Sequence, residues 1–214
     1  MIIILSVVWM KPSLAQLDSD LAYWSFVTLN KNFDSGLRVQ LITSQRFADQ
    51  LSDFNTNLLR SALGHNLPAR LKNFSVWQGY DWFSFYSDNI THEHRIWQQV
   101  LHQKQIKKLT LINRTRLEER ILEGQGEIVR LRHLMRADYR IKKKLRLISG
   151  AEVFVNLNSN QVIDEVIDQN RLLTGFGYDF NSNIALDLIY MLQHNNRDDD
   201  ALNHTLVSNL ILNF

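Results

Sequence analysis

A chain of 214 residues with a formal net charge of +2, 21% charged side chains and no cysteine has room for one large domain or two small ones. The balanced charge gives little electrostatic reason to bind nucleic acid, and the missing cysteines exclude disulfides, thiolate metal sites and thiol catalysis. A mean hydropathy of −0.22 and the lack of any run of about 18 apolar residues exclude a bundle of membrane-spanning helices.

The first segment, "MIIILSVVWMKPSLAQ", is a short apolar stretch followed by Pro12 and Ser13-Leu14-Ala15. Small residues three and one positions before a junction suit signal peptidase, so residues 1–15 read as an export signal cleaved after Ala15, leaving a domain over 16–214. The usual basic start is abbreviated, since Lys11 lies after the apolar run. The competing reading is a buried N-terminal strand.

From there the chain repeats one pattern. "TLINRTRLEERIL" puts Arg114, Arg116, Glu118 and Arg120 on one face and Leu111, Leu117 and Ile121 on the other. In "EIVRLRHLMRADYRIK" the even positions are Arg130, Arg132, Leu134, Arg136, Asp138, Arg140 and Lys142, and the odd ones Val129, Leu131, His133, Met135, Ala137, Tyr139 and Ile141. A helical stripe through Ile128, Leu131, Met135 and Tyr139 is broken by Asp138 and Lys142, so period two fits better than 3.6. "GAEVFVNLN" alternates Glu152, Phe154 and Asn156 against Val153, Val155 and Leu157. "QNRLLTGFGYDF" sets Arg171 and Asp179 opposite Leu172, Phe176 and Tyr178, and "SNIALDLIYMLQ" sets Asp187 opposite Leu186, Leu188 and Tyr190. "LNHTLVSNLILNF" closes with Leu206, Leu210, Leu212 and Phe214 on one face.

Turn-forming clusters ("NFDSG", "GHNLPAR", "EGQGE", "DFNSN", "NNRDDDA") separate these segments, and Pro68, the one proline after residue 15, sits in such a cluster. The pattern predicts about eleven strands, longer than those of ordinary globular domains, with the stretch from Phe47 to Leu59 ambiguous. A transmembrane antiparallel β-barrel of 10 to 12 strands accounts for this length and for faces that are wholly apolar or strongly cationic. Nine arginines then face the lumen: Arg95, Arg114, Arg116, Arg120, Arg130, Arg132, Arg136, Arg140 and Arg171. Glu93, Glu118, Asp138, Glu152, Asp179 and Asp187 share those faces. Long arginines meeting carboxylates across a narrow tube are expected to block it with ion pairs. An even strand number is expected, with both chain ends periplasmic, "DFNSN" at that rim, and the loops Asn195–Ala201 and Asn158–Asp168 outside.

The run "GYDWFSF…THEHRIWQQ…NRTRLEER…VRLRHLMRADYRI…EVFVNL…DQNRLLTGFGYDF…IYMLQ" resembles an uncharacterised family of proteobacterial outer-membrane β-barrels, domain of unknown function 2490. The resemblance is densest from Gly79 to Phe214. It is carried by Gly79-Tyr80, by Glu93-His94-Arg95 with Gln98 and Gln99, by the Arg114/Arg116/Glu118/Arg120 ladder and by Asn170-Arg171. It implies an exported outer-membrane barrel and no established activity. Phe214, closing the last alternation, resembles the terminal assembly signal of such barrels, which implies outer-membrane lipid and the assembly machinery as partners.

Chemical motifs are sparse. His92 and His94 share a strand face, but no third metal ligand is evident. His204 and Ser208 share a face four residues apart, about 13 Å along a strand, too far for direct activation. Glu93 and Glu118 are flanked by arginines, which spoil a general acid. Phosphate-loop and dinucleotide motifs are missing. The sequence therefore predicts no catalytic residue, metal or cofactor. It predicts a structural barrel or narrow small-solute pore, with an outer-membrane lipid hydrolase and a soluble basic nucleic-acid-binding β protein as alternatives.

Overall fold

The computed structural model describes residues 18–159, 166–196 and 201–214; the expected export signal at 1–15 lies outside them. Period-two alternation becomes eleven strands: β1 (Asp18–Asn32), β2 (Leu37–Ala48), β3 (Asp53–Asn66), β4 (Phe74–Phe85), β5 (Thr91–Ile106), β6 (Leu109–Leu122), β7 (Gly126–Arg140), β8 (Leu145–Asn156), β9 (Ile167–Asp179), β10 (Ile184–Asn195) and β11 (Ala201–Asn213). A short 3₁₀ turn, Ala69–Leu71, follows Pro68. Each strand pairs with its sequence neighbours, and β1 closes against β11.

The barrel is mixed, which corrects the expectation of an antiparallel barrel throughout. β1 and β11 run parallel, from Asp18 opposite Ala201 to Asn30 opposite Asn213. An up-and-down meander of odd number brings its first and last strands round in the same direction, so the closing seam can only be parallel. Closure still leaves no open edge. The expectation of an even number with both ends on one rim fails for the same reason: Asp18 and Phe214 lie at opposite rims. Turns 49–52, 86–90 and 123–125 and the ends of β8 and β10, Asn156 and Asn195, share the rim of Asp18. Turns 33–36, 67–73, 107–108, 141–144 and 180–183 share that of Phe214. "DFNSN" thus stands on the rim opposite the ends of β8 and β10, while the loops expected outside, Asn158–Asp168 and Asn195–Ala201, fall largely on residues 160–165 and 197–200, outside the described ones.

The strands are strongly staggered. Partners followed round the barrel from Thr110 run through Asp138, Ile148, Gly175, Ile189, Val207, Trp24, Arg46, Thr56 and Phe85 to Thr91. Thr91 lies two residues before Glu93, the partner of Leu122. One circuit therefore shifts the register by nearly the whole of β6, the tilt that a closed barrel requires.

The ambiguous stretch Phe47–Leu59 is a hairpin. Asp49, Gln50 and Leu51 take φ of 47°, 54° and 71°, and the Asp20 carboxylate accepts hydrogen bonds from the backbone N–H groups of Asp49 and Gln50 at 3.2 and 3.1 Å. That anchor offsets the cost of three side-chain-bearing residues in the left-handed region. A second irregularity, a register shift at Phe154/Val155, turns both Asp168 and Gln169 toward the interior.

Outward positions carry Leu41, Leu59, Leu63, Leu172, Phe176, Leu188 and Leu206, all exposed. Charged residues on that surface stand toward the strand ends, as with Lys31, Lys104, Glu119 and Glu127. Aromatic side chains gather near both rims. Tyr23, Phe47, Phe54 and Tyr86 form a chain of ring contacts at one, and Tyr178 packs edge-on to Phe180 at the other. No helix among the described residues is long and apolar enough to cross a membrane.

Candidate functional site: the charged interior

Most charged side chains at mid-strand positions point into the barrel. Alternation alone points successive arginines inward, where they meet carboxylates on their own strand, on the adjacent strand or on strands farther round the barrel. Glu118 of β6 is fully buried. It accepts from Arg132 Nη1 at 2.6 Å, from Arg130 Nη2 at 2.8 Å and from Arg116 Nη1 at 3.5 Å. Glu152 of β8 takes Arg114 at 2.6 Å, Arg132 at 2.9 Å and Arg171 at 3.5 Å. Glu93 of β5 accepts two-pronged bonds from both Arg95 and Arg120. Arg130 also reaches Asp168 at 3.1 Å, and Arg120 lies 4.0 Å from it. Among the described residues these contacts join seven arginines to four carboxylates in one connected cluster, with an excess of three positive charges.

A second cluster is balanced. Arg136, Arg140 and Arg146 meet Asp138, Asp179 and Asp187. Its outer member, Arg140, is 45% exposed at the rim and pairs with Asp179 at 2.9 Å. A third, also balanced, is the Arg60–Asp81 pair, whose carboxylate additionally accepts Trp97 Nε1–H at 2.6 Å. Two more inward arginines have no carboxylate partner among the described residues. Arg38 donates to Asn32 Oδ1 at 2.9 Å and lies over Trp77. Arg46 has only the rings of Trp24, at 4.0 Å, and Phe83, at 5.3 Å.

Glycines make room for the aromatic side chains among these charges. A Cβ on Gly79 would lie 2.0 Å from the Trp97 ring, and one on Gly64 would lie 2.4 Å from Trp77. With Ala62, these two indoles form a small apolar cluster inside the barrel wall. Arg116 stacks on Trp97 at 3.7 Å, so a cation, an indole and a glycine are layered in turn.

Two cavities occupy the remaining interior. One, of about 590 Å³, opens toward the Asp18 rim near His92, Glu123 and Gln125. The other, of about 540 Å³, opens toward the Phe214 rim near Arg38, Gln105 and Lys108. They share Thr28, Ile42, Arg60, Arg114, Leu134, Arg136, Asp187 and Asn209. The interior is therefore two vestibules meeting at a waist crossed by three arginines.

The other candidate chemistry is not assembled. Ser208 Oγ shares a hydrogen bond with Tyr23 Oη at 2.6 Å, and His204 Nδ1 shares one with Tyr190 Oη at 2.6 Å. Neither residue bonds to the other, and both face outward. His92 and His94 bond separately to Ser84 and Tyr80, and the described residues contain no group of three or more possible metal ligands of the His, Cys, Asp and Glu type.

Of the fifteen charged residues singled out in the sequence, thirteen point into the interior and Arg140 and Asp179 pair at the rim, where Phe214 is 65% exposed. There its backbone N–H donates to Asn30 O at 2.9 Å. Sequence reasoning missed Arg38, Arg46, Arg60, Arg146, Asp81 and Asp168. Alternation in β2 and β3 could have revealed the first three. Arg146 follows the run Lys142–Lys144, which reads as a turn, and Asp168 is out of phase because of the irregularity at Phe154/Val155.

A known family, "Protein of unknown function (DUF2490)", matches residues 21–204. The match begins within β1, covers β2 to β10 and ends within β11. No curated protein matches the chain.

Proposed function

The chain belongs to the DUF2490 family of proteins of unknown function, and from that premise we propose that it is an outer-membrane barrel whose lumen is held shut at mid-height by ion pairs, a structural barrel passing at most small solutes. The observation that carries this reading is the inversion of the wall: ionised groups are buried in the interior, and leucines and aromatics are exposed on the outside. Water does not favour such a surface, whereas lipid does. Strands of 12 to 16 residues, tilted as barrel strands are, rise about 30–40 Å, enough for a hydrocarbon core of about 30 Å. The aromatic groups near both rims fit interfacial girdles.

Lipid is then the main partner of the wall. The outer face of β11, with Leu206, Leu210, Leu212 and Phe214, is the segment that the assembly machinery would engage. The waist supports closure, because Arg136 and Asp187 pair across it at 2.9 Å. The test is to refold the protein into lipid vesicles and then record planar-bilayer conductance. Stable insertion with low current is expected. Failure to insert would overturn the membrane reading, and a large steady current would overturn the closed lumen.

A further inference from the structure

The positive charge left over inside the barrel is not spread evenly. The Arg60–Asp81 pair and the Asp138/Asp179/Asp187 cluster are neutral, while the large cluster carries an excess of three. Arg46 adds a fourth cation beside it. The charged groups acting most strongly on Arg46 are Arg171, Arg95, Arg60 and Arg132, all of its own sign. Its Nε is buried without a hydrogen-bond partner among the described residues. Its guanidinium lies over Trp24 at 4.0 Å, while Arg171 lies 5.2 Å from the same ring. Arg171 is itself weakly engaged, with Glu152 at 3.5 Å and a neutral partner in Gln193 at 2.9 Å. Both arginines line the vestibule that opens to the Asp18 rim.

A buried guanidinium among like charges is costly unless an anion compensates it. We infer that this vestibule is a binding site for a small, water-soluble oxyanion of the phosphate or carboxylate class, held between Arg46 and Arg171 above Trp24. The fork of a guanidinium matches the paired oxygens of either group. A volume of about 590 Å³ lies in the range of small-ligand sites. Arg38 supplies the internal control. It too lacks a carboxylate, but it lies in the opposite vestibule, and its Nε donates to Asn32.

The inference rests on the charged interior and not on the membrane, so it is tested on protein refolded in uncharged detergent. Inorganic phosphate is titrated at constant ionic strength, with chloride as the balancing ion, and binding is followed by calorimetry and by thermal unfolding. Saturable binding is expected, with a rise in unfolding temperature. Arg46→Gln should weaken it about tenfold or more, the equivalent of one charge-assisted bond. Arg38→Gln should leave it within about twofold. Because Arg46→Gln relieves repulsion, the free variant should unfold no earlier than the wild type; should it fail to fold, Arg46→Lys, which keeps the charge and loses the fork, is expected to show an intermediate loss. Absence of saturable binding, or equal losses from the Arg38 and Arg46 variants, would overturn the site. Neither result bears on vesicle insertion, which judges the membrane reading separately.

Discussion

Glu118→Gln tests whether ion pairs hold the barrel together. Glu118 is fully buried, beneath the guanidiniums of Arg132, Arg130 and Arg116. The carboxamide is nearly isosteric, so packing is kept and only the charge is lost. The cluster changes from seven arginines with four carboxylates to seven with three, and its excess rises from three positive charges to four. Removing one partner of a buried pair costs about 3–5 kcal/mol. The retained carbonyl oxygen still accepts one bond, which places the expected loss toward the lower end, about 3 kcal/mol. Asp179→Asn is the contrast, because its nearer partner Arg140 is 45% exposed and its longer one, Arg146 at 3.4 Å, keeps Asp138 and Asp187, and rim pairs contribute about 0–1 kcal/mol. Equilibrium unfolding in denaturant, with the barrel refolded in detergent, measures both. If Glu118→Gln unfolds within about 1 kcal/mol of wild type, the pairs are not what stabilises the interior and the reasoning fails.

Three further expectations follow from the same geometry. Leu131→Arg, which places a charge on the outer apolar groove that Leu131 lines, should cost about 2–4 kcal/mol in lipid vesicles, whereas Arg132→Leu should instead disturb Glu118 and Glu152; wild-type refolding of Leu131→Arg would reverse the two faces. Gly79→Ala should lower stability by about 1–3 kcal/mol, since the new methyl meets the buried Trp97 ring, and an unchanged melting temperature would contradict that packing. In the cysteine-free chain, Asp88→Cys should accept an impermeant label on intact cells and Ser182→Cys only after the outer membrane is disrupted; the opposite result would invert the topology.

Much of this molecule is legible by eye. Arg130, Arg132, Arg136 and Asp138 alternate with Val129, Leu131 and Met135, and one such strand fixes the period, the inner face and the kind of wall. The turn clusters mark where the strands end. Four features escape that reading. The parallel seam depends on the parity of the whole meander, which no local pattern encodes, and an argument from where the chain ends should lie gave the wrong parity. The inward aromatics Trp24, Trp77, Phe83 and Trp97 look like outer-wall residues until the glycines and cations that receive them are seen. Asp168 falls on the wrong phase because one local register shift reverses the alternation, which no period-two reading anticipates. Ion-pair partners also lie beyond sequence, because Arg130 of β7 reaches Glu118 on the adjacent β6 and Asp168 on β9, two strands away.

The central claim is that the outer wall of this barrel faces lipid. Site-directed spin labels at successive positions of β10, from Leu186 to Met191, read it most directly in refolded vesicles. Leu186, Leu188 and Tyr190 point outward, while Asp187, Ile189 and Met191 point into the barrel. Accessibility to oxygen, which concentrates in lipid, should alternate along the strand, high at Leu186, Leu188 and Tyr190 and low between them. A water-soluble relaxing agent should be excluded from those same three positions. If they are instead open to the aqueous agent and closed to oxygen, the wall faces water and the account is wrong.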